Sequence, residues 1–237
     1  MSKIKLNINR EYFRERSDEI NLFNADEKKE AEKIIEKLRE YLRNHPGLVA
    51  LSAPQIGYRY RIFCMKFQGN DIRTFINPLV IARKEIFFNE EIQIGFDDLN
   101  KETYFVPRYR EITAGYQTPT GKVESNVFKD MSSAVFEQMV HLLDGVFISD
   151  FGLIKLDGFD TLTEEDKKMI FDIYMQNTLN NKESIEKIIS ENVDDEQIDK
   201  MTKYYTDALT GKIEILTMTE EEKKQYLENK SKEESKK

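Results

Sequence analysis

Val135-Phe136-Glu137-Gln138-Met139-Val140-His141-Leu142-Leu143-Asp144-Gly145-Val146 is the stretch on which the reading of this chain turns. Asp130 or Ser132 can cap its start, because a short polar side chain satisfies the free N–H groups of a first turn. Gly145 is a natural stop, since glycine takes left-handed angles without steric cost. Between them Val135, Met139, Leu142, Leu143 and Val146 recur at three- and four-residue spacings. That pattern predicts a helix with a broad apolar face. Periodicity makes it a core helix and leaves His141 unexplained.

Upstream, residues 61–67, 74–81, 91–99, 104–107, 111–118 and 122–128 read as short strands, with turns at 68–71 and at Pro119-Thr120-Gly121. Residues 3–9 alternate and predict a first strand. Residues 26–44 predict a helix whose stripe is Ile34, Ile35, Leu38, Tyr41 and Leu42. His45-Pro46-Gly47 should end it: a residue before proline resists helical angles, and glycine permits a left-handed cap. His45 is a helix-end residue at the negative pole of the dipole. Residues 48–53 form a short apolar run stopped by Pro54. Strands followed by one helix packed against them make an α+β fold.

Beyond Phe151 the pattern turns helical. Thr163-Glu164-Glu165-Asp166 resembles a capping box with Asp in the last place, and Met169, Ile170, Ile173 and Tyr174 give a stripe. Residues 184–192 and 195–209 predict further helices, 213–216 a lone strand and 219–229 a last helix.

The formal charge of −8 argues against nucleic acid as a direct partner. Residues 151–210 hold 14 acidic and 7 basic side chains, a net of −7 and nearly all of the excess. The expected division is therefore a domain over 1–152, an acidic helical extension over 153–218 and a charged, frayed tail over 219–237. The single cysteine, Cys64, excludes an intramolecular disulfide framework and fits a buried apolar site in a reducing compartment. With no apolar run near the ~20 residues that span a bilayer, the expected location is cytoplasmic, without a membrane partner.

Three segments in order resemble the peptide deformylases, metal-dependent hydrolases that remove the formyl group from new polypeptides. Leu48-Val49-Ala50-Leu51-Ser52-Ala53-Pro54-Gln55 is similar to the family's G-x-G-x-A-A-P-Q. Gly95-Phe96-Asp97-Asp98 stands where the family has E-G-C-L-S, in a register set by Val106-Pro107-Arg108. Residues 138–145 stand where it has H-E-x-x-H-L-x-G, and Ile76-Asn77-Pro78 looks like its I-N-P strand. The resemblance implies a peptide-deformylase-like α+β fold: antiparallel sheets around a central helix, followed by the helical extension.

It also implies a site that has been lost. The family's metal is held by one Cys and two His, and the Glu of the helical motif moves protons. Phe96 stands at the Cys position, Gln138 and Leu142 at the two His positions, and Met139 at the Glu position. Only Gln55, which in the family helps hold the formyl oxygen, remains. Phe and Leu offer a cation no lone pair, and Met cannot act as a general base. The degenerate set Gln55, Phe96, Gln138, Met139 and Leu142 thus implies no metal, no cofactor and no catalysis. A register slipped by one residue would instead place Glu137 and His141 at i, i+4 as rebuilt ligands, with Asp97 or Asp98 replacing the thiol. The slip spoils the downstream match at Leu143, Asp144 and Gly145.

The expected role is a non-catalytic binding or structural subunit of a larger assembly, of which a phage virion component is one form. It would engage a protein partner or its own copies through the extension and through surface aromatics in residues 58–61 and 104–109. The alternatives are a residual metal-dependent deformylase with rebuilt ligands, and a non-cleaving binder of nascent or formylated peptides.

Overall fold

The computed structural model describes residue 6 and residues 9–94, 102–155 and 158–180. Most of the strand expected at 3–9 and the elements expected at 184–192, 195–209, 213–216 and 219–229 lie outside the described residues.

The first elements among the described residues are α1 (Arg10–Arg14) and α2 (Ala25–Asn44). It continues through β1 (Ala50–Ser52), a 3₁₀ turn over Pro54–Ile56, β2 (Ile62–Lys66) and the long β3 (Ile72–Glu91). Then come β4 (Tyr104–Gln117), β5 (Val123–Lys129), α3 (Asp130–Leu143), α4 (Ile148–Phe151), β6 (Leu153–Ile154) and α5 (Glu164–Asn180). β1 to β5 pair in sequence order, all antiparallel, and β6 adds to β4 at Tyr104 and Phe105. Among the described residues these strands form one six-stranded antiparallel sheet, in keeping with the expected α+β fold.

β2 shows how this sheet is buried on both faces. Side chains alternate along a strand: Phe63 and Met65 join Phe136, Met139, Leu142 and Leu143 of α3, while Ile62 and Cys64 join Ile34, Ile35, Leu38 and Leu42 of α2. A core lies on each side, with the sheet between the two helices. Cys64 is the buried apolar residue expected; its Sγ lies 3.3 Å from Thr74 Oγ1, and burial pushes the thiol up to about 11.

Several boundaries differ from those the pattern predicts. Residues 74–81 belong to one strand that runs on to Glu91, and 104–107 and 111–118 are one strand, β4. Residues 82–86 are exposed one after another, so no alternation marks them as strand. The chain leaves the strand after Glu91, so no strand begins there; the rest of that expected element, 95–99, is outside the described residues. β3 bends through register shifts at Ile76/Leu79 and Val80/Ala82. Asn77 sits there at φ 48°, a left-handed conformation that Asn tolerates better than most residues. Its amide accepts from Ile20 N (3.1 Å) and donates to Ile20 O (2.9 Å), fastening the N-terminal segment to the bend.

The helix ends explain themselves locally. Asn24 caps α2, accepting from Asp26 N and Glu27 N. At its other end His45 Nδ1 lies 2.8 Å from Tyr41 O, and Gly47, expected as a left-handed cap, is not among the positive-φ residues. The α3 cap is Lys129, and Ser132 reaches back to its N–H at 3.0 Å. α3 closes as expected at Gly145 (φ 81°): Val146 N bonds to His141 O and Gly145 N to Leu142 O, the paired pattern of a glycine-terminated helix. A Cβ at Gly145 would stand 2.6 Å from Arg14 O, so the N-terminal segment packs on this end only because the residue is glycine.

Thr163 Oγ1 accepts from Asp166 N at 3.1 Å, as the box predicts. The stripe of α5 is displaced, however. Phe171 stacks on Phe88 and meets Phe105 and Phe159, Tyr174 donates to Phe151 O, and Met169 and Ile173 face outward.

Candidate functional site

α3 carries the residues singled out from the sequence, and its turns divide them into two groups. Met139 and Leu142 are fully enclosed in the apolar cluster with Phe63, Phe75 and Phe136. Gln138, one residue earlier, is equally buried but points to polar partners. Its Oε1 accepts from Ile94 N (3.0 Å), and its Nε2 donates to Glu91 Oε2 (2.7 Å) and Ile92 O (3.1 Å). A buried amide must be hydrogen-bonded to avoid a large desolvation cost, and this one is bonded at both ends.

Glu91 leads on to Arg108. The guanidinium, with 0% of its side chain exposed, donates through Nε to Glu91 Oε1 (2.8 Å) and through Nη2 to Glu91 Oε2 (2.7 Å). This is the two-pronged geometry that suits Arg to a carboxylate. Its Nη1 lies 3.1 Å from His141 Nδ1. Guanidinium only donates, so Nδ1 is the acceptor and the imidazole proton sits on Nε2. Phe151 meets the His141 ring edge-to-face and lies under Arg108. Burial, then the charges of Arg108 and Arg83, hold His141 well below the usual imidazole range. It is a neutral, half-buried histidine.

Glu137 does different work. β4 pairs with β6 at Tyr104 and Phe105 and with β5 from Glu111 onward, so Tyr109 falls in the gap. Glu137 Oε2 accepts from Tyr109 N (2.9 Å), and Ser133 Oγ donates to Tyr109 O (2.6 Å). Two helix residues at i, i+4 thus satisfy one strand residue on both of its main-chain groups. Pro107 occupies the same gap, where its missing N–H costs least. Burial raises the Glu137 carboxyl above the usual range, against the lowering from the Tyr109 N–H, Arg108 and Arg83.

Gln55 lies in the turn after β1. Its Oε1 accepts from Ser52 N (2.8 Å) and Ser52 Oγ (2.9 Å), and its Nε2 donates to Ile94 O (2.7 Å). Gln55 and Gln138 therefore converge on one residue, Ile94. Phe96, Asp97 and Asp98 lie outside the described residues.

The family model described as Polypeptide deformylase matches residues 3–152. The chain belongs to the peptide deformylase family. A curated relative, the peptide deformylase of Pediococcus pentosaceus, is 27% identical over 135 residues, covering 50% of this chain and 73% of that protein. Among solved structures, the peptide deformylase of Thermotoga maritima is 26% identical, with a TM-score of 0.53 over 63% of this chain and 96% of its own. A probable peptide deformylase from Synechococcus phage S-SSM7 shares the fold at 21% identity and a TM-score of 0.54, over 63% of this chain and 99% of its own.

The divalent metal that deformylases use finds a poor donor set at the described positions. Leu142 has no lone pair, Met139 is packed among phenylalanines, and the one oxygen of Gln138 is held by Ile94 N. Among the described residues no group of three or more His, Cys, Asp or Glu is placed to hold a metal ion. The slipped pair Glu137 and His141 does share a face of α3. Their polar atoms are turned to Tyr109 N and Arg108, and the positive charges of Arg108 and Arg83 act on both side chains.

Sequence reasoning missed Glu91, Gln93 and Phe151, and used Arg108 only to set a register. No local signal joins Glu91 to Arg108, since they meet across two strands of a ladder whose length the pattern concealed. Of the aromatics in residues 58–61 and 104–109, Tyr58, Tyr60 and Tyr109 are half-buried. Tyr104 and Phe105 are buried, and Tyr58 takes a hydrogen bond from Lys37 beneath the charges of Lys33 and Lys37. Arg61 is buried on Asp144 and Pro78 O. No helix among the described residues is long and apolar enough to cross a membrane.

Proposed function

We propose that this deformylase-family chain is a non-catalytic member that works as a binding or structural subunit of a larger protein assembly. The observation that carries the reading is the state of α3: Met139 and Leu142 are core residues, and Gln138 is engaged at both ends by the chain itself. A hydrolytic water is ionised by its metal, and a helix offering Gln, Met and Leu provides neither the cation's ligands nor a base. The same substitutions favour folding, because burying Met and Leu side chains is worth roughly 1.5–3 kcal/mol each. The partner is a protein or a second copy, met through the extension after residue 152; a virion component is one form of that role.

The test is hydrolysis of formyl-Met-Ala-Ser by the full chain purified without added metal, then supplied in turn with Fe, Ni, Co and Zn. No turnover above the metal-only blank is expected, nor any stoichiometric metal in the purified protein. One equivalent of bound metal that disappears with His141→Ala would replace this reading with the rebuilt-ligand hydrolase. Native mass of the complex co-purified from the source cell tests the assembly role.

A further inference from the structure

The ladder between β3 and β4 ends with Glu91 opposite Tyr104, but the chain beyond it remains fastened. Ile94 N donates to Gln138, Ile94 O accepts from Gln55, and Ile92 O accepts from Gln138. Between them Gln93, 3% exposed, turns its Oε1 to Ile148 N (3.0 Å) at the start of α4. Two glutamine side chains, Gln55 and Gln138, replace the ladder partners that this stretch of main chain gave up, while the third, Gln93, ties the stretch to α4. Gln55 cannot turn end-for-end, because its oxygen already accepts from both groups of Ser52. Gln93 is held in the same sense by Ile148 N, leaving its Nε2 buried without a partner among the described residues.

We propose that residues 92–94 are an internal strap that occupies the hydrogen-bonding groups of Gln55 and Gln138 and closes that end of the site to peptide ligands. A formyl or peptide carbonyl seeking the Gln55 amide would have to compete with Ile94 O, and lifting Ile94 also breaks its bond to Gln138. The strap rests on the non-catalytic reading above, since a working hydrolase would need the same groups free.

The experiment uses the full chain and follows two readouts: amide hydrogen exchange at Ile94, and binding of formyl-Met-Ala at millimolar concentration by chemical-shift change. In the wild type, Ile94 should be protected and the dipeptide should not bind. In Gln138→Leu, exchange at Ile94 should accelerate roughly tenfold or more, while Leu38 in α2 keeps its rate, and the dipeptide should now bind. Gln138→Asn, one methylene too short for its contacts, should move both readouts the same way and serves if the Leu variant fails to fold. Unchanged Ile94 exchange in a folded variant, or dipeptide binding to the wild type as tight as to the variants, overturns the strap. Hydrolysis of the dipeptide by wild type with metal would sink the strap and the non-catalytic reading together; unchanged exchange without hydrolysis would sink the strap alone.

Discussion

α2 and α3 pack on opposite faces of one sheet and do so by different means. The buried residues of α2 are Ala31, Ile34, Ile35, Leu38 and Leu42, all apolar. Those of α3 include Ser133, Glu137 and Gln138 beside its phenylalanine, methionine and leucines. On α2 any side chain of suitable volume would serve, because dispersion and the hydrophobic effect have no direction. On α3 each polar residue has a specific main-chain partner: Tyr109 for Ser133 and Glu137, Ile92 and Ile94 for Gln138. A helix that only packs and a helix whose buried face also holds main chain thus look alike in hydrophobic pattern. They separate only when the partners of their polar residues are known.

The largest effect should come from breaking the ion pair behind α3. Arg108→Met leaves Glu91 buried without its guanidinium partner, a change that typically costs about 3–5 kcal/mol. Urea denaturation would read it as a lower midpoint. The double variant Arg108→Met/Glu91→Met should recover part of the loss, since a buried pair replaced by apolar residues is often close to neutral. A double variant as unstable as the sum of the two singles would mean that Arg108 and Glu91 do not act as a unit. On the other face, Leu38→Ala should cost about 2–5 kcal/mol through lost transfer energy and a cavity, with no double variant able to rescue it in this way.

The comparison also shows what was legible in the chain. Residues 26–44 announce α2, and the start is missed by one residue only because Asn24 is an ordinary cap. Gly145, the Pro119-Thr120-Gly121 turn and the apolar runs of β2 and β3 are likewise local facts, written in residues that touch their own neighbours. Glu91 is legible only as a polar residue. Its partners lie 17 and 47 positions away, and meeting them requires β3 to run 20 residues through an exposed middle. Gln55 and Gln138 could be placed against family motifs in the sequence, which say nothing of their partners in this fold. That both grip Ile94 follows from where the sheet delivers the chain after Glu91, which no local pattern reveals. In α5, helical spacing marked Met169, Ile170, Ile173 and Tyr174 as one stripe, while Phe171 and Tyr174 are the residues that dock and Met169 and Ile173 face outward; a helix with apolar residues on several faces leaves its own register open.

The smallest effect is the most specific to α3, because its face at the site carries two perturbed groups and the buried face of α2 carries none. His141 is held below its usual range by burial and by Arg108 and Arg83, so the folded chain takes up its proton at lower pH than the unfolded chain, which does so near ~6.5. The unfolded state therefore binds more protons as pH falls below that value, and this term lowers stability on acidification. Glu137 has the opposite sign. Burial raises its carboxyl, so the fold takes up that proton first, and this term adds stability as pH falls toward the unfolded value near ~4.3. In the wild type the two partly cancel. His141→Gln keeps an acceptor for Arg108 but removes the first term, so stability should fall less, or rise, between pH 7 and pH 5. Glu137→Gln keeps an acceptor for Tyr109 N but removes the second, so the acid loss should steepen. Each slope is bounded at about 1.4 kcal/mol per pH unit for one proton. Urea midpoints at three pH values measure it, and equal slopes in the two variants would show that neither group titrates as its surroundings in α3 require.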